Sequence, residues 1–272
     1  MSLLFISSLL AGILAGGLSG CSGAICSKLN LNTIAFAMAH AALAGSAIAL
    51  SAEWDPLLLA MALALLTALI LGPLADHFRI SLDTMSMILF SIYNALTFIF
   101  LILSPGPTLF TGSVGQILWG SILAIKPGYL AILASLSLGY LMFLWIFWGR
   151  LSAILFDPRL SEAEGVNVRL YEYALLAVTG IIVVMALKIT GGFLVFSLLY
   201  IPTAAALQLF NTLKKFLAAS CLLGSASASL GLAFSLATNL PAGSCIVIVA
   251  VLIFLASTII SKMKARSASG EV

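Results

Sequence analysis

The sequence predicts an all-α fold, a polytopic transmembrane helix bundle of about 8–9 spans with a short helix on the cytoplasmic side. Three observations predict it. Apolar residues are 62% of the 272-residue chain and mean hydropathy is +1.23, whereas soluble domains hold about 45–50% apolar residues. Charged residues are 8%, with 12 basic and 9 acidic side chains, too few to cover a water-facing surface of this size. The polar residues are bunched, leaving successive apolar runs of about 20 residues, the length a helix needs to cross a bilayer.

Residues 2–24 read as a first span, rich in Gly and Ala and ended by Lys28. Small residues let neighbouring helices approach closely. Leu18-Ser-Gly-Cys21 has the form of a lipoprotein cleavage site, but no basic segment precedes it and many spans follow, so an uncleaved helix is expected. Residues 32–51 form the second span and carry His40. Ala52 to Asp55 make an external turn, with Glu53 and Asp55 solvated. The third span covers 56–75 and is followed by Asp76, His77 and Arg79. The fourth runs from about 83 to 103, with Asp83 as its N-cap, and Pro105 and Pro107 stop it. Residues 108–126 are polar and Gly-broken and read as a re-entrant or surface segment.

The fifth span is expected over 127–149, ending at Arg150. A polar island follows, 150–172, with Asp157, Arg159, Glu162, Glu164 and Arg169 close together. A short helix fits there. The Asp157 carboxylate accepts first-turn N–H groups, Pro158 takes the first helical position, and Gly165 closes the helix in a left-handed conformation. Ser161 and Glu164 also fit a capping box that would start the helix later; the Asp-Pro start leaves more helix. Further spans are expected at 172–189, 192–210, 215–236 and 243–261. Pro202 is expected to kink its span near a pathway. Residues 1–266 would form one membrane domain with its coupling segment at 151–170, and 267–272 a disordered cytoplasmic tail.

Nine spans put the termini on opposite sides. Basic residues favour the cytoplasm. Placing the C-terminus there also places Lys28, Arg79, Arg150, Arg159, Arg169, Lys214 and Lys215 there, and leaves Lys126 and Lys188 outside. The polar island is then cytoplasmic. No G-x-x-x-x-G-K-[ST] phosphate loop is present, nor H-E-x-x-H or G-x-S-x-G, so neither ATP hydrolysis by that loop nor these hydrolytic chemistries belongs to this chain. Cys21, Cys26, Cys221 and Cys245 lack zinc-site spacing and read as small buried side chains. No basic tract suggests nucleic acid.

Four stretches carry a resemblance. Phe36-Ala-Met-Ala-His-Ala-Ala-Leu-Ala-Gly45 is similar to D-A-L-S-H-A-A-L-P-G. Leu82-Asp-Thr-Met-Ser-Met-Ile-Leu-Phe90 is similar to D-T-A-I-G-I-L-F. Phe156-Asp-Pro-Arg-Leu-Ser-Glu-Ala-Glu-Gly165 with Val168-Arg169 is similar to F-D-P-E-x-A-x-x-x-G followed by V-R. The fourth is Leu194 to Ala205 followed by Asn239-Leu-Pro-Ala-Gly243. Together, in this order, they resemble the integral-membrane permease subunits of bacterial ABC importers for zinc, manganese or iron.

The resemblance implies a homodimer in the cell membrane, a cytoplasmic ATP-binding subunit that holds ATP and magnesium, and an extracytoplasmic metal-binding protein. This chain would bind no cofactor and would touch the metal only in passing. Phe156, Asp157, Pro158, Arg159, Glu162, Glu164 and Gly165 match the element that the ATPase grips, and His40 and Pro202 fall on the translocation path. His40 is the metal-ligand candidate, since neutral imidazole suits transition metals. The family's D-x-x-x-H sets carboxylate and imidazole on one helix face. Here Phe36 stands in place of the Asp and Ala44 in place of the Pro, so His40 lacks that partner. The alternative class is a gradient-driven carrier, which usually needs several mid-membrane ionisable groups; His40 is nearly alone.

Overall fold

The computed structural model describes residues 2–104 and 127–269, and every regular element among them is a helix. Helices satisfy the backbone internally, as a chain this apolar must inside lipid. The order is α1 (Ser2–Lys28), α2 (Asn32–Ser51), α3 (Pro56–Phe78), α4 (Leu82–Leu103), α5 (Pro127–Ile146), α6 (Trp148–Phe156), α7 (Pro158–Ala163), α8 (Val168–Thr190), α9 (Gly192–Leu209), α10 (Leu213–Thr238) and α11 (Ala242–Ser269). Eight of them are long and apolar enough to cross a membrane: α1 to α5, α8, α10 and α11. The segment 108–126, the prolines before it and Lys126 lie outside the described residues.

Contacts at the helix ends fix how the chain winds. Lys28, at the end of α1, sits over the Phe216 ring at the start of α10. Lys214 of α10 sits over Trp148 of α6, and Arg150 of α6 donates to the Tyr171 hydroxyl of α8. These starts and ends share one end of the bundle. At the other end, Lys188 near the end of α8 lies over Tyr129 at the start of α5. α9 therefore leaves one end and α10 starts at the other. Its 18 residues rise about 27 Å at about 1.5 Å each, close to the thickness of a hydrocarbon core. The span expected at 192–210 is thus a short pass that continues through buried Pro202 as one helix.

The centre is tightly packed around α1. A Cβ added at Gly16 would meet the Gly224 carbonyl of α10, and one at Gly20 would meet that of Ser220. Gly23 faces the Leu199 carbonyl of α9 in the same way. The Thr203 hydroxyl ties α9 to α1, donating between Leu199 O at 2.9 Å and Gly20 O at 3.3 Å. Such backbone contact maximises dispersion where lipid supplies no hydrophobic drive between helices.

Three boundaries differ from expectation. The span expected at 127–149 ends at Ile146, and after Phe147 a separate α6 begins that buries Leu151, Ile154 and Leu155. The polar island is correspondingly shorter than 150–172, because this first part is a half-buried amphipathic helix. Asp83 does not cap α4; the Ser81 hydroxyl accepts from Thr84 N at 3.1 Å instead. Asp83 accepts from the Thr33 hydroxyl at 2.6 Å and so ties α4 to the start of α2. Helix α11 continues to Ser269, into the stretch expected to be disordered.

Candidate functional site

His40 lies in α2 and is buried. Its ring stands in an aromatic cage drawn from three helices. Phe196 of α9 stacks on it with centroids 4.3 Å apart and planes within 6°. Phe90 of α4 meets it edge-on at 4.3 Å. Phe36, one turn earlier on α2, lies 4.6 Å away and also touches Phe90, Phe196 and Tyr200. Tyr200 in turn donates to the Asn32 carbonyl of α2. Pro202 lies in the same helix beyond Phe196 and Tyr200 and is not one of the cage rings.

The hydrogen bond inside the cage assigns the tautomer. His40 Nδ1 is 3.1 Å from the Phe36 carbonyl oxygen. A carbonyl only accepts, so Nδ1 carries the proton and Nε2 keeps its lone pair. Among the described residues Nε2 has no hydrogen-bond partner. An imidazole oriented by a backbone carbonyl, with the other nitrogen free, is the arrangement in which His ligates metals. No group of three His, Cys, Asp or Glu side chains among the described residues gathers to hold a metal. Cys26 faces Thr179 at 3.8 Å, and the Met38 methyl lies where a side chain at Gly180 would sit, so both turn toward α8. The cage thus offers one nitrogen donor among three Phe rings.

The second candidate is the segment around α7. The Asp157 carboxylate accepts from the backbone N–H groups of Arg159 at 2.9 Å and Leu160 at 3.2 Å. Pro158 takes the first helical position. At the far end Gly165 has φ +85°. Its N–H donates to Glu162 O and that of Val166 to Ser161 O, both at 3.0 Å, a Schellman closure. The Ser161 hydroxyl donates back to the Asp157 carbonyl at 3.0 Å, so the later capping-box start is not used. Phe156 is 86% exposed just before the cap. Arg159, Glu162, Glu164 and Gly165 are exposed as well. The seven residues named from sequence therefore form one rigid, outward-facing knob between α6 and α8. At its flank Arg150 Nη1 donates to the Tyr171 hydroxyl at 3.1 Å, which pushes the guanidinium above its ordinary pKa.

Sequence reasoning missed Phe90 and Phe196, whose part in the cage depends on helix packing. It also missed a cavity of about 390 Å³ at the basic end of the bundle, where Asp76 of α3 and Arg169, Glu172 and Tyr173 of α8 meet.

Comparison with known proteins agrees with this architecture. The chain is 30% identical over 247 residues to the manganese transport system membrane protein MntC of Listeria innocua, covering 91% of this chain and 87% of that one. It is 26% identical to the high-affinity zinc uptake system membrane protein ZnuB of Buchnera aphidicola, covering 92% and 95%. Its fold superposes on a chain of PsaBC from Streptococcus pneumoniae, solved in complex with Fab, with a TM-score of 0.82 at 28% identity, covering 94% and 95%. The family model described as the ABC 3 transport family matches residues 2–261, and with a helix bundle pierced by one buried histidine and ended by one capped knob, this chain belongs to that family.

Proposed function

We propose that this chain is the membrane-embedded permease of an ATP-driven importer for a divalent transition-metal ion, and that α7 is the lever through which an ATP-binding partner works it. The observation that carries the reading is the exposed knob from Phe156 to Gly165. It is stiffened at both ends and joined directly to the helices on either side. A push on such an element is transmitted to α6 and α8 rather than absorbed by a loop.

Orientation supports the same reading. The end of the bundle that holds α7 also carries Lys28, Arg79, Arg150, Arg169, Lys214, Lys215, Lys262 and Lys264, while the other described end holds Lys188. The basic end is cytoplasmic by the positive-inside rule, which puts α7 and the C-terminus beside a cytosolic ATPase. ATP and magnesium belong to that partner. The opposite end, with Glu53, exposed Trp54 and Asp55, faces an extracytoplasmic metal-binding protein, and a second copy of the chain completes the path. The cargo class follows from the relatives, which are named for manganese and zinc, and from His40. Its free Nε2 suits zinc, manganese or iron as a transient ligand, and Phe196 of α9 stacks on the ring that carries it. Pro202 lies on that helix, where the missing N–H leaves one turn less firmly tied.

The test is assembly. With Asp157, Arg159 and Glu162 all changed to Ala, co-purification of the ATP-binding subunit falls sharply while the permease itself still folds. Undiminished assembly would remove α7 from the coupling role.

A further inference from the structure

A groove of about 450 Å³ opens on the outer face of the bundle at its basic end, lined by Leu144 and Trp145 of α5, Trp148 of α6, and Lys214 and Leu217 of α10. We propose that it is a binding site for an anionic phospholipid, with the headgroup phosphate on Lys214 and the glycerol and upper acyl chain along Trp145, Trp148 and the two leucines.

The walls match such a molecule at each depth. Trp145 is 81% exposed at the last turn of a span, and indole rings favour the headgroup level, where one edge is wet and the face is apolar. Lys214 is exposed, and its ammonium rests 5.8 Å from the Trp148 centroid. It thus stands at the mouth of the groove with no carboxylate among the lining residues. Lys215 adds a second exposed cation next to it, and Lys28, over Phe216, a third. Trp145 and Trp148 stand on either side of the break at Phe147 and line the groove together with Lys214 and Leu217 of α10. A second copy of this chain fits less well. A two-fold contact through this patch would set Lys214 and Lys215 against their own copies with no acid between them.

The experiment titrates the purified permease with phosphatidylglycerol or phosphatidylcholine of the same acyl chains and counts bound lipid by native mass spectrometry. The wild type retains phosphatidylglycerol preferentially. Lys214→Gln weakens that binding about fivefold, the effect of one surface lysine on an anionic lipid, and leaves phosphatidylcholine unchanged. Lys214→Arg keeps the preference, Trp148→Leu weakens both lipids, and Lys188→Gln at the opposite end changes neither. Equal retention of the two lipids by the wild type, or an undiminished preference in Lys214→Gln, would overturn the proposal. Disulfide capture of two copies through Trp145→Cys would also overturn it, by assigning the groove to a dimer contact.

Discussion

The ligand role proposed for His40 sets two demands: the ring must pack among apolar neighbours and still keep one nitrogen for a cation. The Phe36 carbonyl reconciles them by holding the Nδ1 proton at 3.1 Å. His40→Phe separates the two roles, because it keeps an aromatic ring in the cage and removes the ligand. We expect normal expression and folding with loss of metal uptake; unimpaired uptake would reduce His40 to a packing residue. Phe36→Asp tests the reverse. A carboxylate four residues before His40 lies on the same face, and a second ligand worth about 1.4 kcal/mol raises metal affinity about tenfold. Isothermal titration calorimetry with zinc and manganese measures this, and unchanged affinity would place residue 36 off the path. The lone imidazole was legible in the sequence because ionisable groups inside a membrane are rare. Its cage was not, because Phe90 and Phe196 come from α4 and α9, and one apolar residue looks like another until the helices are packed.

Short helices depend on their ends, and α7, with six residues, shows it most clearly. Asp157→Ala removes a cap worth about 1 kcal/mol, and faster hydrogen exchange at the Arg159 and Leu160 amides should report it, with Asp157→Asn much closer to wild type. Gly165→Ala strains a left-handed residue by about 1–2 kcal/mol and should loosen the same helix from its other end. Exchange unchanged in both variants would mean that neighbouring packing, not capping, holds α7. Between α1 and α10 the helices touch backbone to backbone, so Gly20→Val forces them apart. Overpacking of about 1–3 kcal/mol should lower the melting temperature in detergent, whereas Gly139→Ala on α5, with open space around it, should not. Caps with a dedicated chemistry, such as Asp157-Pro158 and Gly165, could be read from the sequence. The α5–α6 break could not, because 127–149 is uncharged throughout and nothing local marks Phe147. Ser81 displaced Asp83 as a cap for a related reason: the carboxylate had a better donor in Thr33, distant in sequence.

The whole molecule combines a tightly packed unit built on α1, α9 and α10 with an aromatic cage drawn from α2, α4 and α9 and a knob at one end. Composition alone was enough to specify a membrane bundle, and most of the described basic residues gather at one of its ends. The exact number of passes was harder to read, since the span expected at 192–210, which is the 18-residue α9, carries glycines at its start and Pro202 inside it, residues that also fit a broken helix. In the proposed function this chain supplies a path and a lever while the energy comes from a partner. Uptake of radioactive zinc or manganese into proteoliposomes tests it most directly, using the permease with and without its ATP-binding subunit. It predicts accumulation only when partner and ATP are both present, and loss of that accumulation when Asp157, Arg159 and Glu162 are replaced by Ala. Accumulation by the permease alone, driven by a proton or sodium gradient, would contradict it.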